Sequence, residues 1–244
     1  MDLKLNIFPS EQEVLTGIAK YFIETGNQAI TKQSFFNVSL SGGTSPKKLY
    51  QLLTTAEYRQ QLDWTKVYFF FGDERNVPKN SPDSNFLMAK IALFDPLQIA
   101  ENQIFAVDTS LPPEAAATDY ANQINNHFEN KKVCFDLILL GLGDNSHTAS
   151  LFPHTDVLNE KDATIKAIFL EDQQVFRITK TALMINQAHH IAFLLYGAGK
   201  AEAVKHVLED PSNVEEYPAQ LIKPESGDVQ WFMDEAAAAL LQNK

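Results

Sequence analysis

Residues 135–153 read FDLILLGLGDNSHTASLFP. The run FDLILL is apolar almost throughout, the pattern of a strand covered on both faces rather than a half-wet one. Glycines at 141 and 143 then break it, and His147 follows the turn, with HTASLF reading as the start of a helix. In an open parallel sheet, ligands gather beyond the carboxyl ends of the strands. A lone histidine more often packs or caps, but one that follows a buried strand is placed for chemistry. Imidazole titrates closer to neutrality than other side chains, which suits His147 to act as a general base on water.

The same pattern recurs along the chain. FNVSL (36–40), VYFFF (67–71), IKAIFL (165–170) and IAFLLY (191–196) read as further strands. Helices are signalled between them. Ser10 and Glu13 form a capping box ahead of VLTGIAKYFI, and Ser45-Pro46 reads as an N-cap with proline at the first helical position. Residues 112–128 and 199–208 also read as helices, and AAAA (236–239) as helix-forming. The proline-rich stretch 211–224 reads as a surface connection. Alternating strand and helix predict an α/β fold, a mostly parallel sheet flanked by helices. No repeat or linker divides the chain, so a single domain over 1–244 is expected.

Three other places follow strands. SLSGGTSPKKLY (39–50) sets Ser41, Gly42, Gly43, Thr44 and Ser45 at a helix N-terminus, where freed N–H groups and hydroxyls can cradle an anion. FFFGDERNVPKNSPDSNF (69–86) carries Asp73, Glu74 and Arg75 out of a strand, in reach of a polar substrate. Arg177 in FRITKT and Lys200 in GAGKAEA complete a basic clamp suited to phosphate. Ordinary turns, a helix cap and a surface salt-bridge loop explain each of these equally well alone; their convergence favours a site.

Other chemistries are excluded. The dinucleotide fingerprint fails at Ser146, where glycine is required, and neither a Walker spacing nor a GxSxG elbow occurs. The histidines are scattered away from cysteine and carboxylate partners, so no metal is expected. A net charge of -11 argues against nucleic acid or an anionic membrane as partner. One cysteine, Cys134, leaves no internal disulfide, and neither a signal peptide nor a membrane-length apolar run is evident, so the cytoplasm is expected.

Five segments in order, SLSGGTSPKKLY, FFFGDERNVPKNSPDSNF, FDLILLGLGDNSHTASLFP, RITKTALMINQAHHIAFLLYGAGKAEAV and VQWFMDEAAAAL, resemble the 6-phosphogluconolactonase family. The resemblance implies the fold shared with glucosamine-6-phosphate deaminases and ribose-5-phosphate isomerases, a Rossmann-like α/β sheet with extra strands. It also implies hydrolysis of 6-phospho-glucono-1,5-lactone to 6-phosphogluconate in the oxidative pentose phosphate pathway, with no cofactor and no obligate protein partner. Family members read GxGxDGHTASLFP, whereas this chain has Asn145-Ser146, preceded by Asp144. On this reading His147 is the base and Asn145 or Asp144 orients it. Backbone N–H groups near Gly42 and Gly43, or Arg75, meet the developing oxyanion, and Arg177 and Lys200, with Arg75, hold the phosphate. The rival readings are a sugar-phosphate deaminase or isomerase on the same fold and a catalytically weakened sugar-phosphate-binding protein.

Overall fold

Successive apolar residues along the central strands point to opposite faces of one sheet, and helices cover both. A computed structural model describes residues 2–243; Met1 and Lys244, within the expected span of 1–244, lie outside the described residues. The strands are β1 (Asp2–Phe8), β2 (Phe36–Leu40), β3 (Val67–Phe71), β4 (Asp73–Arg75), β5 (Leu137–Leu140), β6 (Ile165–Leu170), β7 (Val175–Lys180), β8 (His190–Leu194) and β9 (Asp228–Asp234). Six form a parallel sheet in the order β1-β9-β8-β5-β2-β3, and β4-β7-β6 form a small antiparallel sheet. The placement of β6 in that second sheet explains why its middle is only partly buried.

Helices α1 (Glu11–Gln33) and α2 (Thr44–Leu53) cover one face, where Val38, Leu40, Phe69, Phe71, Leu137 and Leu139 point. The alternate residues, Phe70, Ile138, Leu140, Ile191 and Phe193, face a second core with α5 (Pro113–His127) and α7 (Ala201–Leu208). Between them come α3 (Asn85–Ala89), which continues through a π-helical turn (Lys90–Phe94) into α4 (Asp95–Leu97), and the short α6 (Ala182–Ile185). Ser10 caps α1, its Oγ accepting from the Glu13 N–H; the Glu13 carboxylate takes the Ser10 hydroxyl rather than the Ser10 backbone N–H, so only half of the expected box forms.

Several local expectations are corrected. α2 begins at Thr44 with Gly43 as its N-cap, at φ +101°, so Ser45 does not cap it and Pro46 lies inside the first turn. HTASLF forms no helix. Thr148 bridges Leu151 instead, and Ser146, Ala149 and His154 all adopt positive φ, which helix cannot accommodate. The AAAA run is a series of turns, because the Asp234 carboxylate takes the Ala237 N–H and burial of Ala237 and Ala238 outweighs helix propensity. The stretch 211–224 is less superficial than expected, since a 3₁₀ turn there (Pro218–Leu221) buries Pro218, Ala219 and Gln220.

Candidate active site

The cleft opens at the carboxyl ends of β2, β3 and β5, and measures about 280 Å³. Each wall is set by what the chain does on leaving a strand. After β2, Ser41, Gly42 and Gly43 line it. A Cβ on Gly42 would sit 2.0 Å from Asn85 Oδ1, so only glycine admits that close approach. Thr44 and Ser45 lie in the first turn of α2, outside the lining.

After β3 the chain crosses Gly72, whose N–H still donates to Leu40 O, and leaves the main sheet for the small one. Asp73 and Arg75 line the cleft. Glu74, expected to meet substrate, is not part of the lining: its buried carboxylate accepts from the N–H groups of Arg75, Asn85 and Phe86 and from Ser84 Oγ, capping α3. Burial raises its pKa and those N–H groups oppose the rise. Asp73 is fixed by Ser150, whose Oγ donates to Oδ2 at 2.6 Å.

After β5 come Gly141, Leu142 and Gly143, then His147, all lining. A Cβ on Gly143 would lie 2.1 Å from both Cε1 and Nδ1 of His147, so the imidazole packs directly on bare backbone. Its other side stacks on Phe152, with centroids 4.0 Å apart. Asn145 Oδ1 lies 2.5 Å from His147 Nδ1 and also accepts the His147 backbone N–H at 3.4 Å. An atom that takes a backbone N–H is the amide oxygen, so Nδ1 carries its proton and Nε2 is left with the lone pair. Burial, with Arg177 and Lys200 nearby, pushes His147 down to about 4 although Asp73 and Asp144 pull upward. The ring is therefore neutral at pH 7. Ser146 holds the turn at φ +61° with its Oγ buried and unpartnered among the described residues.

Arg177 faces Arg75 across the β4–β7 pair, and both line the cleft. Burial and the neighbouring Arg75 lower the Arg177 pKa, against the pull of Asp73 and Glu74. Nε of each guanidinium is buried without a hydrogen-bond partner among the described residues. Two such cations side by side are a site short of an anion. Lys200 stands apart from this pair: it is outside the lining, and its Nζ meets the exposed Asp144 at 2.5 Å.

Sequence reading missed Asn85, Phe152 and Gln173, which also line the cleft. The first two lie inside segments singled out above, but nothing in their residue types marked them. It also missed Lys180. This side chain is fully buried on β7, donating to Phe71 O and lying 4.8 Å from the Phe135 ring centroid and 5.4 Å from that of Tyr120.

Residues 9–231 match the family model described as glucosamine-6-phosphate isomerases/6-phosphogluconolactonase. The chain belongs to this family. Among its relatives, a 6-phosphogluconolactonase from Synechocystis is 39% identical, covering 88% of each chain. One from Haemophilus influenzae is 34% identical over 96% of this chain and 98% of its own. The solved 6-phosphogluconolactonase of Trypanosoma cruzi superposes with a TM-score of 0.84 at 27% identity, covering 100% of this chain and 99% of that one. The six-stranded parallel sheet flanked by helices is thus the family's own architecture, and Asn145-Ser146 sit on it at the turn before His147.

Proposed function

We propose that this member of the glucosamine-6-phosphate isomerase/6-phosphogluconolactonase family hydrolyses 6-phospho-D-glucono-1,5-lactone to 6-phosphogluconate, with His147 as general base. The observation that carries the reading is a neutral imidazole, its Nε2 lone pair free and its Nδ1 proton held by Asn145, sharing one cleft with two arginines that form no ion pair among the described residues. Full-length likeness to proteins named 6-phosphogluconolactonase supports the choice of substrate.

Nε2 takes a proton from water as the water oxygen bonds to the lactone C1. Charge moves to the carbonyl oxygen, and the N–H groups of Gly42 and Gly43, which donate to no described residue, are placed at the cleft wall to meet it. Collapse breaks the bond from C1 to the ring oxygen, and the imidazolium returns its proton to that oxygen. Arg75 and Arg177 hold the phosphate dianion, which offsets their mutual repulsion. That remote binding positions C1 for attack. Lys200, tied to Asp144 at the exposed edge, assists from the mouth, and Asp73 holds sugar hydroxyls. The reading also puts the protein in the cytoplasm, where the free thiol of Cys134 stays reduced.

The test is the initial rate of lactone hydrolysis above the spontaneous background, wild type against His147→Ala. A positioned base contributes about 10²–10⁴ in rate, so kcat falls by about that factor while 6-phosphogluconate binding persists. Near wild-type turnover in the variant would refute the role of His147. Ammonia release from glucosamine 6-phosphate, without lactone turnover, would replace the activity itself.

A further inference from the structure

At the opposite end of the sheet, beside the N-terminal ends of β2, β3, β5 and β8, lies a second cleft of about 660 Å³. It is more than twice the size of the candidate active site and falls within the roughly 300–1,000 Å³ usual for small-ligand pockets. Its floor carries an open polar edge. Asn37 is 2% exposed, and its Oδ1 lies 2.9 Å from His127 Nε2. With the amide oxygen accepting, His127 keeps its Nδ1 lone pair, and the Asn37 NH2 group has no partner among the described residues. Burial lowers the His127 pKa, so this edge is neutral, one donor beside one acceptor.

The walls are aromatic. Tyr68, Phe105 and Phe128 surround His127, with ring centroids 4.9, 4.7 and 5.3 Å from it, and each also lines the cleft. Phe35 stands at the same opening with 36% of its surface in solvent. The rim is basic in an otherwise acidic chain. Glu129 pairs with Lys131 at 2.6 Å, and Lys132 beside it pairs with no carboxylate among the described residues.

We propose that this cleft binds a mononucleotide. The heteroaromatic base lies against the aromatic walls, where stacking is tolerant of base identity. Its ring edge meets the Asn37 donor and the His127 acceptor, and the phosphate reaches Lys132. None of these residues belongs to the candidate active site, so occupancy of one cleft leaves the other open.

The experiment is calorimetric titration of the full chain with AMP, adenosine and inorganic phosphate, for wild type and Lys132→Glu. AMP saturates wild type with a Kd below about 1 mM and adenosine binds about tenfold more weakly. Phosphate alone gives no saturable binding at this site. Lys132 is a surface residue, so its replacement leaves the fold intact; it brings AMP down to the affinity of adenosine and leaves adenosine unchanged. Absence of saturable AMP binding to wild type overturns the proposal. So does AMP binding that Lys132→Glu leaves untouched, or that Arg177→Ala abolishes, since either places the nucleotide elsewhere.

Discussion

Replacing Lys180 with methionine will make this protein more stable, by an amount that depends on pH. Lys180 is 0% exposed, and no carboxylate pairs with it among the described residues. Burial pushes its pKa from the ordinary 10.5 down to about 7, with Asp73 alone pulling upward. At about 1.4 kcal/mol per tenfold, that gap represents about 5 kcal/mol lost wherever the unfolded chain is protonated and the folded chain must be too. Below pH 7 both states carry the proton and the whole penalty is present. Between about 7 and 10.5 the unfolded state binds more protons, so stability rises with pH; above 10.5 both are neutral and the penalty is gone. Methionine nearly matches the lysine stem in volume. It forfeits one hydrogen bond, worth about 1 kcal/mol, but Phe71 O keeps the Tyr120 hydroxyl at 3.2 Å and is not orphaned. Allowing for relaxation around a buried charge, Lys180→Met gains about 2–4 kcal/mol at pH 6. Urea unfolding of both proteins at pH 6, 7.5 and 9 measures this directly, because every other titrating group is common to the pair. The reasoning fails if the variant is no more stable at pH 6, or if its advantage does not shrink as pH rises.

Other outcomes concern the cleft. Asn145→Asp places a carboxylate on His147 Nδ1, so the acid limb of the pH–rate profile rises from near 4 toward neutrality, with kcat at pH 7 kept or raised; an unmoved limb would show that Asn145 does not hold the ring. Gly143→Ala drives a methyl into the imidazole, so kcat drops about 10²-fold with the melting temperature little changed, and full activity would contradict the packing described. Arg177→Ala weakens binding of 6-phosphogluconate far more than of gluconate by equilibrium titration; equal losses would remove Arg177 from the phosphate site.

What could be read from sequence followed how evenly each segment is buried. β2, β3, β5 and β8 announce themselves because helices cover both faces and most positions are apolar, Asn37, Ser39 and His190 being the exceptions. β1 and β9 alternate Lys4 with Leu5 and Gln230 with Trp231, and β7 mixes Arg177 and Lys180 into its pattern, so none reads as an unbroken apolar run. Around the cleft, His147, Arg75 and Arg177 stood out because their chemistry is uncommon at strand ends. The fate of Glu74 was not legible: an identical Asp-Glu-Arg triplet can send any carboxylate to solvent, and only the return of the chain at Ser84–Phe86 claims this one. The absence of helix after His147 was equally hidden, since the positive φ of Ser146 and Ala149 is imposed by tertiary bonds such as Ser150 Oγ to Asp73.

The order β1-β9-β8 carries a consequence for biosynthesis. β1 pairs along its length with β9 and with no other strand among the described residues, Asp2 opposite Asp228 through Phe8 opposite Asp234. β1 therefore waits, without a hydrogen-bonding strand beside it, until the roughly 220 residues that separate Phe8 from Asp228 have been translated. At roughly 5–20 residues per second that is a delay of at least about ten seconds. A nascent chain halted before β9 would present both β8 and β1 as open edges, the condition under which chaperones are recruited and aggregation begins.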